Sequence, residues 1–333
     1  MQCAQFKVSL RLHNASFAAA SWLTSVPSDY AAYLDFYGLS AALGQVQARF
    51  GWLEVAEQRL WVQAFRPDPA LSLNTNKGTL LHLHGLYDHG ASYPKFQAWA
   101  LEQGWHYLTL DLLGHGLSSG ARASVQDFKE YQLGVQALVA QLEELKMPRP
   151  WVLSGFSTGG AVALDFCLHS LKDQPANAQV DALLLIAPLV RPVGWRPHLV
   201  QILRLVRLFV RRLPRRFAAN SNCQAYLDFV CRQDCLQGQS LSLDWILALA
   251  GWLQRLDKAA SAPCPALVLQ GDKDATLNWQ YNLAALQQLL PQAQQVIITA
   301  AGHQLLNEAQ EQQQQVLACL TSWLDSRVKP KQD

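Results

Sequence analysis

The residues best equipped for chemistry lie in the pentapeptide Gly155-Phe156-Ser157-Thr158-Gly159, with Gly160 directly behind it. A serine hydroxyl is a weak nucleophile. It becomes reactive where a base can take its proton and where the backbone lifts it clear of its neighbours. The flanking residues suit the second need. Trp151-Val152-Leu153-Ser154 reads as a short buried strand and residues 161–168 as a helix, so the serine falls where a strand turns sharply into a helix. Glycines on either side lack Cβ atoms, which permits close backbone approach and a strained turn. The chemistry this predicts is acyl transfer through a serine ester, with Ser157 raised above a sheet edge.

In doubly wound sheets the reacting groups gather at the carboxyl ends of the strands. Two later stretches put suitable side chains there. A strand predicted at 266–270 is followed by Gly271-Asp272-Lys273-Asp274, and one at 295–299 by Ala300-Ala301-Gly302-His303. Serine, acid and histidine thus arrive in the order expected for a serine presented on such a turn. In this reading Ser157 attacks a carbonyl carbon and His303 takes its proton. Asp274 holds the imidazole tautomer, and Asp272, directly after the turn glycine, is the rival for that role. The oxyanion of the tetrahedral intermediate needs two donors. The N–H of Thr158, which opens the helix, is one, and the N–H of Leu86, in the loop after a strand at 79–83, is the other.

Strands and helices alternate around these positions. Strands are predicted at 79–83, 105–110, 151–154, 181–187, 266–270 and 295–299, with helices at 93–103, 125–145, 279–290 and 304–324. Nearly continuous apolar strands spaced by helices imply a mostly parallel sheet covered on both faces, an α/β fold. A hairpin precedes it at 52–56 and 59–65, with loops at Pro67-Asp68-Pro69 and around Asn74 to Gly78. Residues 1–50 read as a helical extension carrying a short aromatic helix at 30–36. The rhythm breaks at Pro188. Residues 191–262 read as a strand-free helical insert, which divides the main body into 51–190 and 263–333.

Several segments together resemble one family. His84-Gly85-Leu86-Tyr87-Asp88-His89 with Tyr93, Asp111-Leu112-Leu113-Gly114-His115-Gly116-Leu117-Ser118-Ser119-Gly120, the elbow at 155–160, and Gly302-His303-Gln304-Leu305-Leu306-Asn307-Glu308 are similar to the monoacylglycerol lipase and lysophospholipase branch of the α/β-hydrolases, the serine aminopeptidase S33 type. The likeness covers roughly residues 55–190 and 263–325. Phe156, Thr158, Asp88 and Gln304 depart from that branch's usual histidine, methionine, glutamate and glutamate. None of these touches the triad, although Phe156 and Thr158 bear on pocket shape. The resemblance implies an α/β-hydrolase fold, a carboxylic ester hydrolase needing no cofactor, and the insert as a helical cap. It also implies that His84 and His115 shape the site without acting as bases.

Residues 191–216 carry eight arginines and no acid, whereas the whole chain is only +2, so the remainder sums to about −6. A helix over 199–213, ended by Pro214, would bring Arg204, Arg207 and Arg211 into one stripe on an apolar cylinder. Two readings stand: an interfacial helix on a membrane surface, or a cap helix packed on the body with solvated arginines. A second cap helix at 241–256 presents Trp245, Leu249 and Trp252, which, with Tyr87, are expected to line an acyl site or else pack the cap. A peptidase or amidase binding a free amine would want acids near the cap, and the first third of the insert has none. A non-catalytic binding protein of the same fold is the third reading, although all three triad candidates are present.

The chain is 333 residues, half hydrophobic and 16% charged, so a large core is expected and disorder is not. Seven scattered cysteines argue against a disulfide framework, and Cys231 and Cys235 read as thiols. His82, His84 and His89 lack the carboxylate or thiolate company of a metal site, so no metal is expected. No stretch is long enough for a membrane span, and Lys7 and Arg11 ahead of the weak apolar run at 15–23 make a poor signal peptide. The expected location is cytoplasmic, with a peripheral contact at the inner membrane if the arginine stripe is interfacial. The partner is a small lipid-like ester, and no nucleic acid is expected.

Overall fold

The computed structural model describes residues 9–10, 15–23, 25–40, 46–67, 76–173 and 179–328. Cys3, Lys7 and Arg11 lie outside these, as do Asp68, Pro69 and the first two residues, Asn74 and Thr75, of the loop expected there. Among the described residues eight strands form one sheet in the order β1-β2-β4-β3-β5-β6-β9-β10. These are β1 (Val46–Val55), β2 (Gln58–Pro67), β3 (Gly78–Leu83), β4 (Trp105–Leu110), β5 (Trp151–Phe156), β6 (Ala182–Ile186), β9 (Ala266–Gly271) and β10 (Gln294–Ile298). From β4 through β10 every pairing is parallel, and the β1–β2 hairpin joins β4 antiparallel. The result is an α/β-hydrolase fold. Strands β3, β5, β6 and β9 are buried along their whole length, because helices cover both faces.

The topology places the site. β4 flanks β3 on one side and β5 on the other, so the strand order reverses at β3. A crevice opens at the carboxyl ends of strands at such a reversal. The β3–β5 register sets Leu83 opposite Gly155. The loop carrying Leu86 and the turn carrying Ser157 therefore emerge side by side.

Four expectations are corrected. The stretch 1–50 is not wholly helical: β1 begins at Val46, and Ser16 and Leu23 bridge to Trp52 and Ala48. Its helix, Ser28–Phe36, buries Tyr30 against Phe50 and Trp61 of the hairpin and Tyr33 beside it, where the Tyr33 hydroxyl accepts from Gln63. The insert is not strand-free, since β7 (Arg212–Pro214) pairs antiparallel with β8 (Ser240–Ser242). That pairing also shortens the arginine-bearing helix to Val200–Val206. Arg211 falls outside it and Arg207 pairs with Asp244 and Gln126, so the expected three-arginine stripe does not form. Long-range pairing has overridden local helix propensity here. Finally, Cys235 is disulfide-bonded while Cys231 is free. A disulfide depends on which Cβ atoms folding brings together, and spacing along the chain does not reveal that.

Candidate active site

Ser157 is the single residue between β5 and the helix Thr158–Asp173. Its φ of +51° is left-handed, a conformation that costs a non-glycine residue energy and persists only where its surroundings enforce it. The flanking glycines allow that enforcement. A Cβ on Gly155 would lie 2.3 Å from the Gly159 carbonyl oxygen, and one on Gly159 would lie 2.1 Å from the Leu83 carbonyl oxygen. No other residue fits either position.

The structure brings the three separated residues together. His303 Nε2 lies 3.0 Å from Ser157 Oγ, and its Nδ1 lies 2.8 Å from Asp274 Oδ2. A carboxylate only accepts, so Nδ1 carries the proton and Nε2 is left to accept from the serine. All three residues are buried. Asp274 also receives the N–H groups of Thr276 and Leu277 at 2.8 and 3.0 Å and the Gln270 amide at 3.0 Å. Burial by itself would raise its carboxyl. The adjacent His303 and these hydrogen bonds outweigh burial and hold it below the ordinary value. Asp272 instead accepts the Ala300 N–H at 2.8 Å, bracing the loop that leads to His303.

The loop after β3 is fixed from below. His84 accepts the Leu112 N–H at 2.9 Å through Nε2 and donates from Nδ1 to the Gly85 carbonyl at 2.8 Å. That bonding needs a neutral ring. Burial, followed by the neighbouring His115, holds His84 well below its ordinary value and so keeps it neutral. Tyr93 donates to Asp88 at 2.6 Å and accepts the Gly85 N–H at 3.2 Å. Asp111, buried, accepts the N–H groups of Gly90 and Leu117 at 2.6 and 2.7 Å. The histidines considered for a metal are spent on such contacts: His82 on Ser154 at 3.0 Å and His89 on Asp234 at 3.1 Å. Among the described residues no group of three His, Cys, Asp or Glu is placed to hold a metal ion.

Ser157 and His303 open into a cavity of about 410 Å³. Leu86 and Thr158 stand on its wall beside them, as do Tyr87, Trp245 and Leu249. Thr158, as the first residue of its helix, has an N–H with no intrahelical acceptor. Trp252 does not line the cavity, contrary to expectation. It is fully buried and stacks on Phe128, ring centroids 5.3 Å apart. It shares a helical face with Trp245, but seven residues carry it about 10 Å further along the axis, past the cavity and onto the main body.

Two supporting residues escape a reading by residue type. Glu308, buried, accepts the Gly302 N–H at 2.6 Å and the Asn222 N–H at 2.8 Å, tying the His303 loop to the insert. Because of this turn the last helix begins at Gln310 rather than Gln304. The signal was its place at the end of the 302–308 segment. Gln270 offered another: a lone polar residue closing an otherwise apolar strand.

A family model described as serine aminopeptidase, S33, matches residues 74–310. An uncharacterized abhydrolase domain-containing protein of Dictyostelium discoideum is 27% identical over 139 residues, which is 42% of this chain and 13% of that protein. Among solved structures, a soluble variant of monoglyceride lipase from Saccharomyces cerevisiae aligns with a TM-score of 0.70 at 16% identity, covering 84% of this chain and 95% of its own. Monoacylglycerol lipase from Paleococcus ferrophilus gives 0.65 at 17%, covering 80% and 99%. Carboxylesterase from Bacillus subtilis gives 0.55 at 18%, covering 88% and 97%. That family model spans more than half of the chain, and Ser157, Asp274 and His303 follow β5, β9 and β10 within it: the chain belongs to the serine aminopeptidase S33 family of α/β-hydrolases.

Proposed function

We propose that this α/β-hydrolase cleaves carboxylic esters of lipid-like substrates, of monoacylglycerol or lysophospholipid type, through an acyl-enzyme on Ser157. The observation that carries the reading is the relay Ser157–His303–Asp274, at 3.0 and 2.8 Å, opening into a cavity walled largely by apolar side chains. Ser157 Oγ adds to the ester carbonyl as His303 Nε2 takes its proton. The N–H groups of Leu86 and Thr158 receive the oxyanion. As the tetrahedral species collapses, His303 returns the proton to the departing alkoxide, leaving acyl-Ser157 and an alcohol. A water activated by His303 then releases the fatty acid and restores the serine. Asp274 keeps the ring in the working tautomer and stabilises the imidazolium throughout.

Residues 191–262 act as a cap in this reading. Val200, Leu203, Trp245, Ile246 and Leu249 receive the acyl chain, which the fold shared with monoglyceride lipases also supports. A peptidase would need a carboxylate for the substrate's amine. Among the described lining residues the one carboxylate is Asp88, already engaged by Tyr93, Gln237 and Gln304. The cap's outer surface also suits a lipid interface. Phe209 is 88% exposed and Leu208 74%, amid exposed Ile202 and Leu205 and the exposed cations Arg204, Arg211 and Arg212. No helix among the described residues is long and apolar enough to cross a membrane, so the contact proposed is peripheral.

Ser157→Ala tests the chemistry with a p-nitrophenyl ester series and fluorophosphonate labelling. The expected result is loss of labelling and a fall in kcat of about a thousandfold or more, with the parent enzyme preferring long acyl chains. A variant that retains turnover overturns the mechanism. A preference for acetyl esters overturns the lipid assignment.

A further inference from the structure

The cavity has two chemically distinct sides. Helices Val200–Val206 and Leu243–Leu256 contribute the apolar one, and the segment after β7 contributes Arg215 and Asn220 to the other. Arg215 is not a solvated cation like its neighbours. Its guanidinium lies between two rings, 4.0 Å from the centroid of Tyr87 and 4.2 Å from that of Phe217. One nitrogen, Nη1, donates to Gln237 Oε1 at 2.6 Å and to the Gly238 carbonyl at 3.0 Å. Gln237 in turn donates to Asp88 Oδ1 at 3.2 Å. Gly238 must be a glycine for this packing, since a Cβ there would lie 2.8 Å from the Tyr87 ring. The guanidinium is therefore fixed in plane and direction beside the loop that bears Leu86.

Those bonds use Nη1 alone. Among the described residues no carboxylate is in ion-pair range of Arg215, and the nearby Asp88 spends its oxygens on Tyr93, Gln237 and Gln304. The Nε–Nη2 edge is left as a preset fork. Arg215 is half-buried and feels the Asp88 carboxylate only across Gln237, so an anion on the free edge would give it a direct charged partner. A planar fork of N–H donors matches phosphate or carboxylate oxygens in a bidentate way, and reduced water access strengthens the attraction. Arg196 and Arg216 add positive charge to the same lining.

Resting on the ester-hydrolase reading above, we propose that Arg215 selects esters whose alcohol half carries an anion, a phosphate or a carboxylate. The acyl chain lies among the apolar side chains, and the anion sits on the Arg215 edge next to the loop holding Leu86. Tyr87 is then the platform that orients the guanidinium, and Gln237 is its positioning residue.

The test compares three esters of one acyl chain: a monoacylglycerol, its phosphate and its hemisuccinate. The expected result is a higher kcat/KM for one or both anionic esters than for the neutral one. Arg215→Met should lower that ratio about ten- to a hundredfold, the worth of a charge-assisted hydrogen bond. Arg215→Lys should recover part of it, because the charge returns without the fork. The phosphate and hemisuccinate arms tell which anion is read. Equal preference for charged and neutral esters by the parent enzyme overturns the proposal, as does an Arg215→Met loss that is the same for all three. Should Arg215→Met fail to fold, judged by Tm, Arg215→Lys alone decides: an unchanged ratio overturns the proposal. Calorimetric binding of the monoacylglycerol, its phosphate and its hemisuccinate to Ser157→Ala protein separates this idea from the catalytic one. Tighter binding of either anionic ester supports the anion site even if no ester is turned over, and equal binding of all three overturns it.

Discussion

Glu308 accepts the backbone N–H of Gly302 at 2.6 Å, one residue before His303. The same carboxylate reaches the N–H of Asn222 in the insert at 2.8 Å, and Ser221 Oγ donates to the Asn307 carbonyl at 2.7 Å. The position of the histidine is thus set jointly by the main body and the insert, although neither contact touches a reacting atom.

Glu308→Gln checks this positioning role. The amide turns a donor toward one of the two backbone N–H groups, leaving a buried donor unsatisfied at a cost of about 1–3 kcal/mol. Urea unfolding should show that loss. Steady-state kinetics should show kcat falling with KM nearly constant, because the displaced group is His303 and not the cavity wall. A rise in KM alone would refute the assignment.

The two aspartates after β9 should separate cleanly. Asp274→Asn removes the acceptor that fixes the His303 tautomer, and kcat should fall about a thousandfold or more. Asp272→Asn keeps an acceptor for the Ala300 N–H, and kcat should change far less. A larger effect from Asp272 would reverse the assignment. The Asp274 carboxyl is held below its ordinary 3.8, so its contribution to stability is fully present above that pH. The contribution is lost as pH falls through the lower, folded-state value. The stability gap between parent and Asp274→Asn should therefore narrow as pH falls below about 4.

Leu249 and Trp252, one turn apart on the same helix, should behave differently. Leu249→Trp fills the cavity and should move the preferred acyl chain to shorter lengths with little change in Tm. Trp252→Ala empties a core site against Phe128 and should cost about 3–5 kcal/mol in urea unfolding, without moving chain preference. A chain-length shift from Trp252→Ala would return that residue to the substrate wall.

The exposed apolar surface of the insert should bind lipid. Phe209→Asp together with Leu208→Asp should weaken sedimentation with phosphatidylglycerol vesicles about tenfold or more. Tm should barely move, since both side chains are exposed. The arginines predict weaker binding to phosphatidylcholine vesicles and a decline with added salt. Unchanged vesicle binding by the double variant would remove the membrane assignment. A dimer of the parent protein, dispersed by the same substitutions, would show a second copy covering that face instead.

What the sequence determined is everything whose cause is local. Gly155 and Gly159 around Ser157, between an apolar strand and a helix, specify the turn, because no Cβ can be accommodated there. Apolar strands spaced by helices specify a parallel sheet, and such a sheet carries its loops at one edge. Asp274 and His303 were legible for that reason, each following a strand end. Tertiary structure decided whatever depends on which surfaces meet. The arginine-rich stretch reads as one long helix, yet β7 pairs with β8 and ends it early, since strand pairing satisfies the backbone as well as a helix does. Helical periodicity puts Trp252 on the face of Trp245 and Leu249, but the body it meets, Phe128, lies more than a hundred residues away in the chain. Arg215 is one of eight similar arginines in sequence. Only folding sets it between Tyr87 and Phe217, because a side chain's partners are chosen by the packing of distant segments and not by its own type.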